Sequence, residues 1–135
     1  MYSMEDGSFT YSAFMRDCPS HQVLETLSGK WTYLIVAALR PRRLRNAELA
    51  RKIEGISPKM LAQTLRTLER DGLVTRTIYA EVPPRVDYLL TPLGEELARL
   101  MDQIRTWAET HVSQITAARA VHDTAAESIL PLQAT

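Results

Sequence analysis

Apolar residues return at three- and four-residue steps through most of the chain, which predicts helices, and two strand-like runs after residue 72 interrupt that rhythm. The clearest period lies between Ser57 and Gly72. Leu61, Leu65 and Leu68 mark one helical face, Ser57 suits an N-cap, Pro58 the first helical position, and Gly72 the left-handed residue that ends a helix. The opposite side carries Lys59, Gln63, Arg66 and Arg70, with Glu69 the one acidic residue close by. A strand-like run from Leu73 to Ala80 and a second from Val86 to Leu90 flank a short loop containing Pro83, Pro84 and Arg85, which predicts a β-hairpin with a basic tip held out by the prolines.

Before this region, residues 1–17 hold Tyr2, Phe9, Tyr11 and Phe14 without a period and are read as an arm that needs another surface to pack on. A helix is predicted from Cys18-Pro19, with Val23, Leu24 and Leu27 as its stripe up to Gly29. The next, Lys30 to Arg40, is apolar nearly all round and is expected to be the central buried helix. Pro41, Arg42, Arg43 and Arg45 form a basic turn, and Asn46 is the expected N-cap of a helix with Ala47, Leu49, Ala50 and Ile53 inside. After the hairpin, Thr91-Pro92 opens a long helix with one stripe of Leu93, Leu97, Leu100, Ile104 and Trp107 and a second of Met101, Ala108, Val112 and Ile115. Two stripes exceed what one small domain needs to cover, so one is expected to face a partner. Residues 118–135, rich in Ala, Thr and Ser with Pro131 near the end, are expected to fray, which leaves 18–117 as a single domain.

Composition narrows the function. With 45% hydrophobic and 24% charged residues, the 135-residue chain is read as one soluble domain able to bury its own core. The longest uncharged apolar run, Trp31 to Leu39, falls well short of the ~20 residues of a membrane helix, and no export leader is visible, so a cytoplasmic protein is expected. The lone Cys18 excludes an internal disulfide. His21 could pair with it on a metal, but no second pair stands at ligand spacing, so no metal and no cofactor are expected. No phosphate-binding loop, dinucleotide turn or nucleophile motif is present, so an enzyme is not expected. The net charge is zero, yet Lys30 to Arg85 holds 12 Lys or Arg against 5 Asp or Glu, while both flanks are acidic. Phosphate contact needs local rather than global positive charge.

A helix with an apolar back and a cationic front, followed at once by a basic-tipped hairpin, is the arrangement of a recognition helix and wing. The expected fold is mainly α with a small β-hairpin, a winged helix-turn-helix with extra N- and C-terminal dimerisation helices. The candidate DNA-binding residues are Ser57, Lys59, Met60, Gln63, Thr64, Arg66 and Arg70 on that helix, Arg85 at the wing, and Arg43 and Arg45 in the basic turn. Gln63 can pair with adenine and Arg66 with guanine in the major groove; Lys59, Arg70, Ser57 and Thr64 suit the phosphate backbone. A winged helix used for protein contacts alone is the competing reading, and it would show no salt-dependent DNA affinity.

Five ordered motifs resemble those of the HxlR family of bacterial transcriptional regulators, a winged-helix group related to MarR, and the resemblance covers roughly Cys18 to Trp107. They are Cys18-Pro19; Gly29-Lys30-Trp31-Thr32; Gly55-Ile56-Ser57-Pro58-Lys59-Met60-Leu61; Glu69-Arg70-Asp71-Gly72-Leu73-Val74; and Val82-Pro83-Pro84-Arg85-Val86-Asp87-Tyr88, followed by Leu90-Thr91-Pro92-Leu93-Gly94. One departure is Asn46, where many relatives carry an aromatic residue. The resemblance implies a homodimer on a palindromic double-stranded DNA operator, and a response to a small electrophile or oxidant through an N-terminal cysteine, here Cys18. A thiol at a helix start is also chemically suited to that role, because the exposed N–H groups favour the thiolate.

Overall fold

The structure, a computed structural model, describes residues 3–5 and 8–133, with side chains from 11 to 127. Tyr2 and the last two residues of the expected frayed tail lie outside the described residues. The chain divides into two compact units, Met1–Arg99 and Leu100–Thr135.

In the first unit a short hairpin, β1 (Ser3–Glu5) against β2 (Ser8–Thr10), stands in the arm that showed no period. Helices α1 (Pro19–Leu27) and α2 (Lys30–Leu39) follow, then β3 (Leu44–Arg45), α3 (Asn46–Lys52), α4 (Pro58–Arg70), β4 (Val74–Tyr79), β5 (Arg85–Leu90) and the start of α5 (Pro92–Gln133). The strands form one antiparallel sheet in the order β3-β5-β4, with Val74 opposite Leu90, Tyr79 opposite Arg85 and Arg45 opposite Asp87. Strand β3 falls in the stretch expected as a basic turn; a two-residue segment, Leu44 and Arg45, leaves no periodic signal, and only pairing with β5 makes it a strand.

Helix α2 is central as expected, with Ile35, Val36, Ala38 and Leu39 buried. Leu61, Leu65 and Leu68 of α4 are at most 2% exposed. Burying them contributes roughly 1.5–3 kcal/mol each, which holds a helix that alone would be marginal in water. Helix α4 stops as its sequence demands. Gly72 has φ +75°, its N–H donates to the Glu69 carbonyl at 3.1 Å, and the Leu73 N–H reaches back to the Leu68 carbonyl at 3.0 Å. Thr91 ties this end to the next helix. Its hydroxyl donates to the Gly72 carbonyl at 2.6 Å and accepts the Gly94 N–H at 3.1 Å, so it caps α5 as it closes α4. Gly94 packs so tightly here that a Cβ would strike the Leu73 carbonyl oxygen.

Helix α3 differs from its expected form. Its N-cap is Arg45 rather than Asn46, with the Glu48 carboxylate accepting the Arg45 backbone N–H at 3.0 Å. Of its expected inner face only Leu49 is buried within the helix; Ile53 is buried just past its end, and Ala47 and Ala50 are exposed. Seven residues make only two turns, too short for the whole predicted stripe to face inward.

Helix α1 buries none of its side chains. Val23 and Leu24 are about half exposed, and with Tyr11, Pro19 and Leu27 they line an apolar cleft of about 510 Å³. In the second unit α5 remains helical to Gln133, whereas fraying is expected from the sequence past Ala117. Leu100, Ile104, Trp107 and Val112 are each more than half exposed along it. The Trp107 ring stacks on His111, and Arg105 bridges Asp102 and Glu109.

Candidate nucleic-acid interface

The outer stripe of α4 is built as the sequence implies. The Ser57 hydroxyl accepts the Met60 N–H at 3.1 Å and Pro58 occupies the first turn, so the helix begins cleanly. Lys59, Gln63, Arg66 and Arg70 lie at steps of four, three and four, opposite the buried leucines, and all four are exposed. Over eleven residue steps, from Lys59 to Arg70, the stripe extends about 16 Å, near the length of five stacked base pairs. Among the described residues none of these four side chains has an ion pair or hydrogen bond, so their donors are available to an outside acceptor. Met60 borders the stripe at 37% exposure. Thr64 is different: its hydroxyl donates to the Met60 carbonyl at 2.8 Å, and the proton a phosphate contact would use is already engaged. Ser57 keeps its own O–H hydrogen free while its oxygen caps the helix.

Arg85 is not held out at the hairpin tip. It is the first residue of β5, and its guanidinium folds back over the Tyr79 ring at 3.9 Å, 3.4 Å from Asp87 and 3.5 Å from Glu81. Strand alternation explains this, because Arg85 and Asp87 point to the same face. The loop, residues 80–84, contains a cis Val82–Pro83 bond, and Val82 is fully exposed.

The basic turn meets the base of the wing. Arg43 donates to the Tyr79 hydroxyl at 2.6 Å, Arg42 pairs with Glu48 at 3.0 Å, and Arg45 stands 4.0 Å from Asp87. Glu48 is held below the usual carboxylate range by the Arg45 backbone N–H first and the Arg42 guanidinium second. Arg42, Arg43, Arg45, Arg51 and Arg85 line a common cleft with Glu48 and Asp87. Arg51 and Asp87 carry no role in the sequence reading. Asp87 had a legible signal, an acidic residue two positions from Arg85 on one strand face, but its burial at 6% exposure belongs to the central strand, with Arg45 opposite it on β3 and Thr77 on β4.

Cys18, the N-cap of α1, is completely buried. Burial pushes its thiol up, but the Ser20 hydroxyl and the Ser12 and Ser20 backbone N–H groups outweigh that and leave it below the ordinary thiol value. The Ser12 N–H lies 3.3 Å from the sulfur and the Ser20 hydroxyl 3.2 Å. His21 Nδ1 donates to the Ala13 carbonyl at 2.7 Å, which clamps the segment lying over the thiol.

A buried-backed cationic helix followed by a two-stranded wing defines a winged helix-turn-helix, the fold of a DNA-binding regulator. The chain belongs to the HxlR-like helix-turn-helix family, whose model matches residues 26–116. It is 43% identical over 106 residues to the helix-turn-helix transcriptional regulator YtfH of Escherichia coli K12, covering 78% of this chain and 84% of that protein. The structure of YtfH from Salmonella typhimurium is similar at a TM-score of 0.76 and 41% identity, over 82% of this chain and 99% of that one. The redox regulator HypR in its reduced form is similar at a TM-score of 0.68 and 32% identity, over 73% of this chain and 98% of that one. The protein is thus a transcriptional regulator of the helix-turn-helix type.

Proposed function

We propose that the protein acts as a homodimer on a palindromic operator, with one α4 in the major groove of each half-site. The observation that carries this is the stripe of Lys59, Gln63, Arg66 and Arg70, exposed and unpaired among the described residues on a helix whose back is fixed by Leu61, Leu65 and Leu68. Gln63 and Arg66, mid-stripe, read base edges; Lys59, Arg70 and the free Ser57 hydroxyl bind phosphates. A second copy covers the half-exposed Val23 and Leu24 of α1 and the apolar residues exposed along α5, which water would otherwise have to solvate. Cys18 makes operator binding sensitive to an oxidant or electrophile. The lowered thiol supports this, as does the similarity to the redox regulator HypR. Because Cys18 is covered, the reagent must first lift the segment from Ser12 to Asp17, and adding bulk there then shifts α1.

Selection of binding sites from random duplexes tests the reading, together with sedimentation of the free protein. The expected result is a dyad-symmetric site with half-site centres about 10 base pairs apart, or a multiple of that, bound by a dimer. An asymmetric site, or a monomer at micromolar concentration, would contradict it.

A further inference from the structure

The cleft between α3 and the base of the wing holds more positive charge than the local fold uses. Five guanidinia line about 670 Å³ together with two carboxylates, a balance of +3. Glu48 engages Arg42, and Asp87 engages Arg85 and, more loosely, Arg45. Arg43 has only the neutral Tyr79 hydroxyl as a side-chain partner, and Arg51 has no ion pair among the described residues. Like charges gathered in one cleft repel one another, so such a cluster is stabilised when an anion enters it. The forked donors of arginine match the oxygens of a phosphate. Arg45 and Arg85 also border the hollow under the wing loop, so the cleft continues toward that loop.

We propose that Arg43, Arg45 and Arg51 form a phosphate site apart from the α4 stripe, and that buried Asp87 is the positioning residue that sets its geometry. Asp87 pairs with Arg85 at 3.4 Å while that guanidinium lies over the Tyr79 ring, Arg43 donates to the Tyr79 hydroxyl, and Asp87 faces Arg45 across the β3–β5 pair. The carboxylate thus aligns the cationic side chains while remaining 94% buried itself. The phosphate is a backbone phosphate of the operator flank, which rests on the DNA-binding reading, or that of a free phosphorylated metabolite. The chemistry of the site is the same for both.

Two variants and two probes test it. Arg51→Ala removes an exposed side chain and should leave the fold intact. With operator DNA it is expected to weaken binding several-fold for every sequence and to lower the salt slope by about one unit. With pyrophosphate alone, chemical shifts at residues 43–51 and 85–87 should move in the native protein and not in Arg51→Ala. A lowered slope without pyrophosphate binding assigns the site to DNA; pyrophosphate binding without a slope change assigns it to a free phosphate. If Arg51→Ala changes neither, the site does not exist. Should the native protein fail to bind DNA at all, the DNA-binding reading fails while the pyrophosphate measurement still decides the site. Asp87→Asn separates positioning from net charge. It makes the cleft more positive, so charge alone would tighten anion binding, whereas loss of alignment weakens it. Tighter or unchanged binding by folded Asp87→Asn would overturn the role given to Asp87.

Discussion

Thr91 joins the end of the recognition helix to the start of the long helix through one hydroxyl, and Thr91→Val isolates that oxygen with almost no change in shape. The donated bond to the Gly72 carbonyl is 2.6 Å and the accepted bond from the Gly94 N–H is 3.1 Å. Loss of the first removes about 1 kcal/mol, the usual net value of a neutral hydrogen bond. Loss of the second removes a helix N-cap, also about 1 kcal/mol. Valine preserves the β-branch and the packing, so about 2 kcal/mol of destabilisation is expected in all. For a chain of this size that corresponds to a fall in Tm of roughly 5–10 °C. Thr91→Ser keeps both bonds and should lose much less. The assay is urea unfolding followed by circular dichroism, at one fixed protein concentration because association shifts apparent stability. A loss under about 0.5 kcal/mol in Thr91→Val, within the range of ordinary surface substitutions, would refute the bridging role. So would an equal loss in Thr91→Ser, since the hydroxyl would then not be what matters.

Arg66→Ala should weaken operator binding by ~1–3 kcal/mol and relax base preference at one position per half-site, while Lys59→Ala weakens all sequences alike; competition binding on a panel of single-base variants distinguishes them. Glu48 has its folded pKa depressed by the Arg45 N–H and Arg42, so its contribution to stability is present at neutral pH and is lost as pH falls through the folded value. Native protein and Glu48→Gln should therefore differ in urea midpoint at pH 7 and converge in acid; a constant gap would contradict the sign. Diamide should lower operator affinity in the native protein and leave Cys18→Ser unaffected. Equal responses from both in a gel-shift titration would make Cys18 a packing residue.

Local chemistry sufficed for much of the molecule. Ser57, Pro58, the leucines at 61, 65 and 68, and Gly72 specify where α4 begins, which side is buried and where it stops, because caps, stripes and left-handed residues act within a few positions of themselves. The polar stripe followed directly, since a helix with one buried face must present the other. The hairpin and the start of α5 at Thr91-Pro92 were legible for the same reason. Tertiary structure alone decided the rest. Strand β3 exists only through β5, and Asp87 is buried on a central strand flanked by β3 on one side and β4 on the other. Arg85 looked like a free cation in the loop, but strand alternation aims it at Tyr79 and Asp87. Thr64 looked like a phosphate donor, and its proton is taken within the helix. Arg42, Arg43, Arg45, Arg51 and Arg85, spread over more than forty positions, share a cleft that no spacing announces. Periodicity reports which way a side chain faces on its own element. What stands opposite it is set by long-range pairing, and that pairing determines whether a charge is spent inside the fold or left for a ligand.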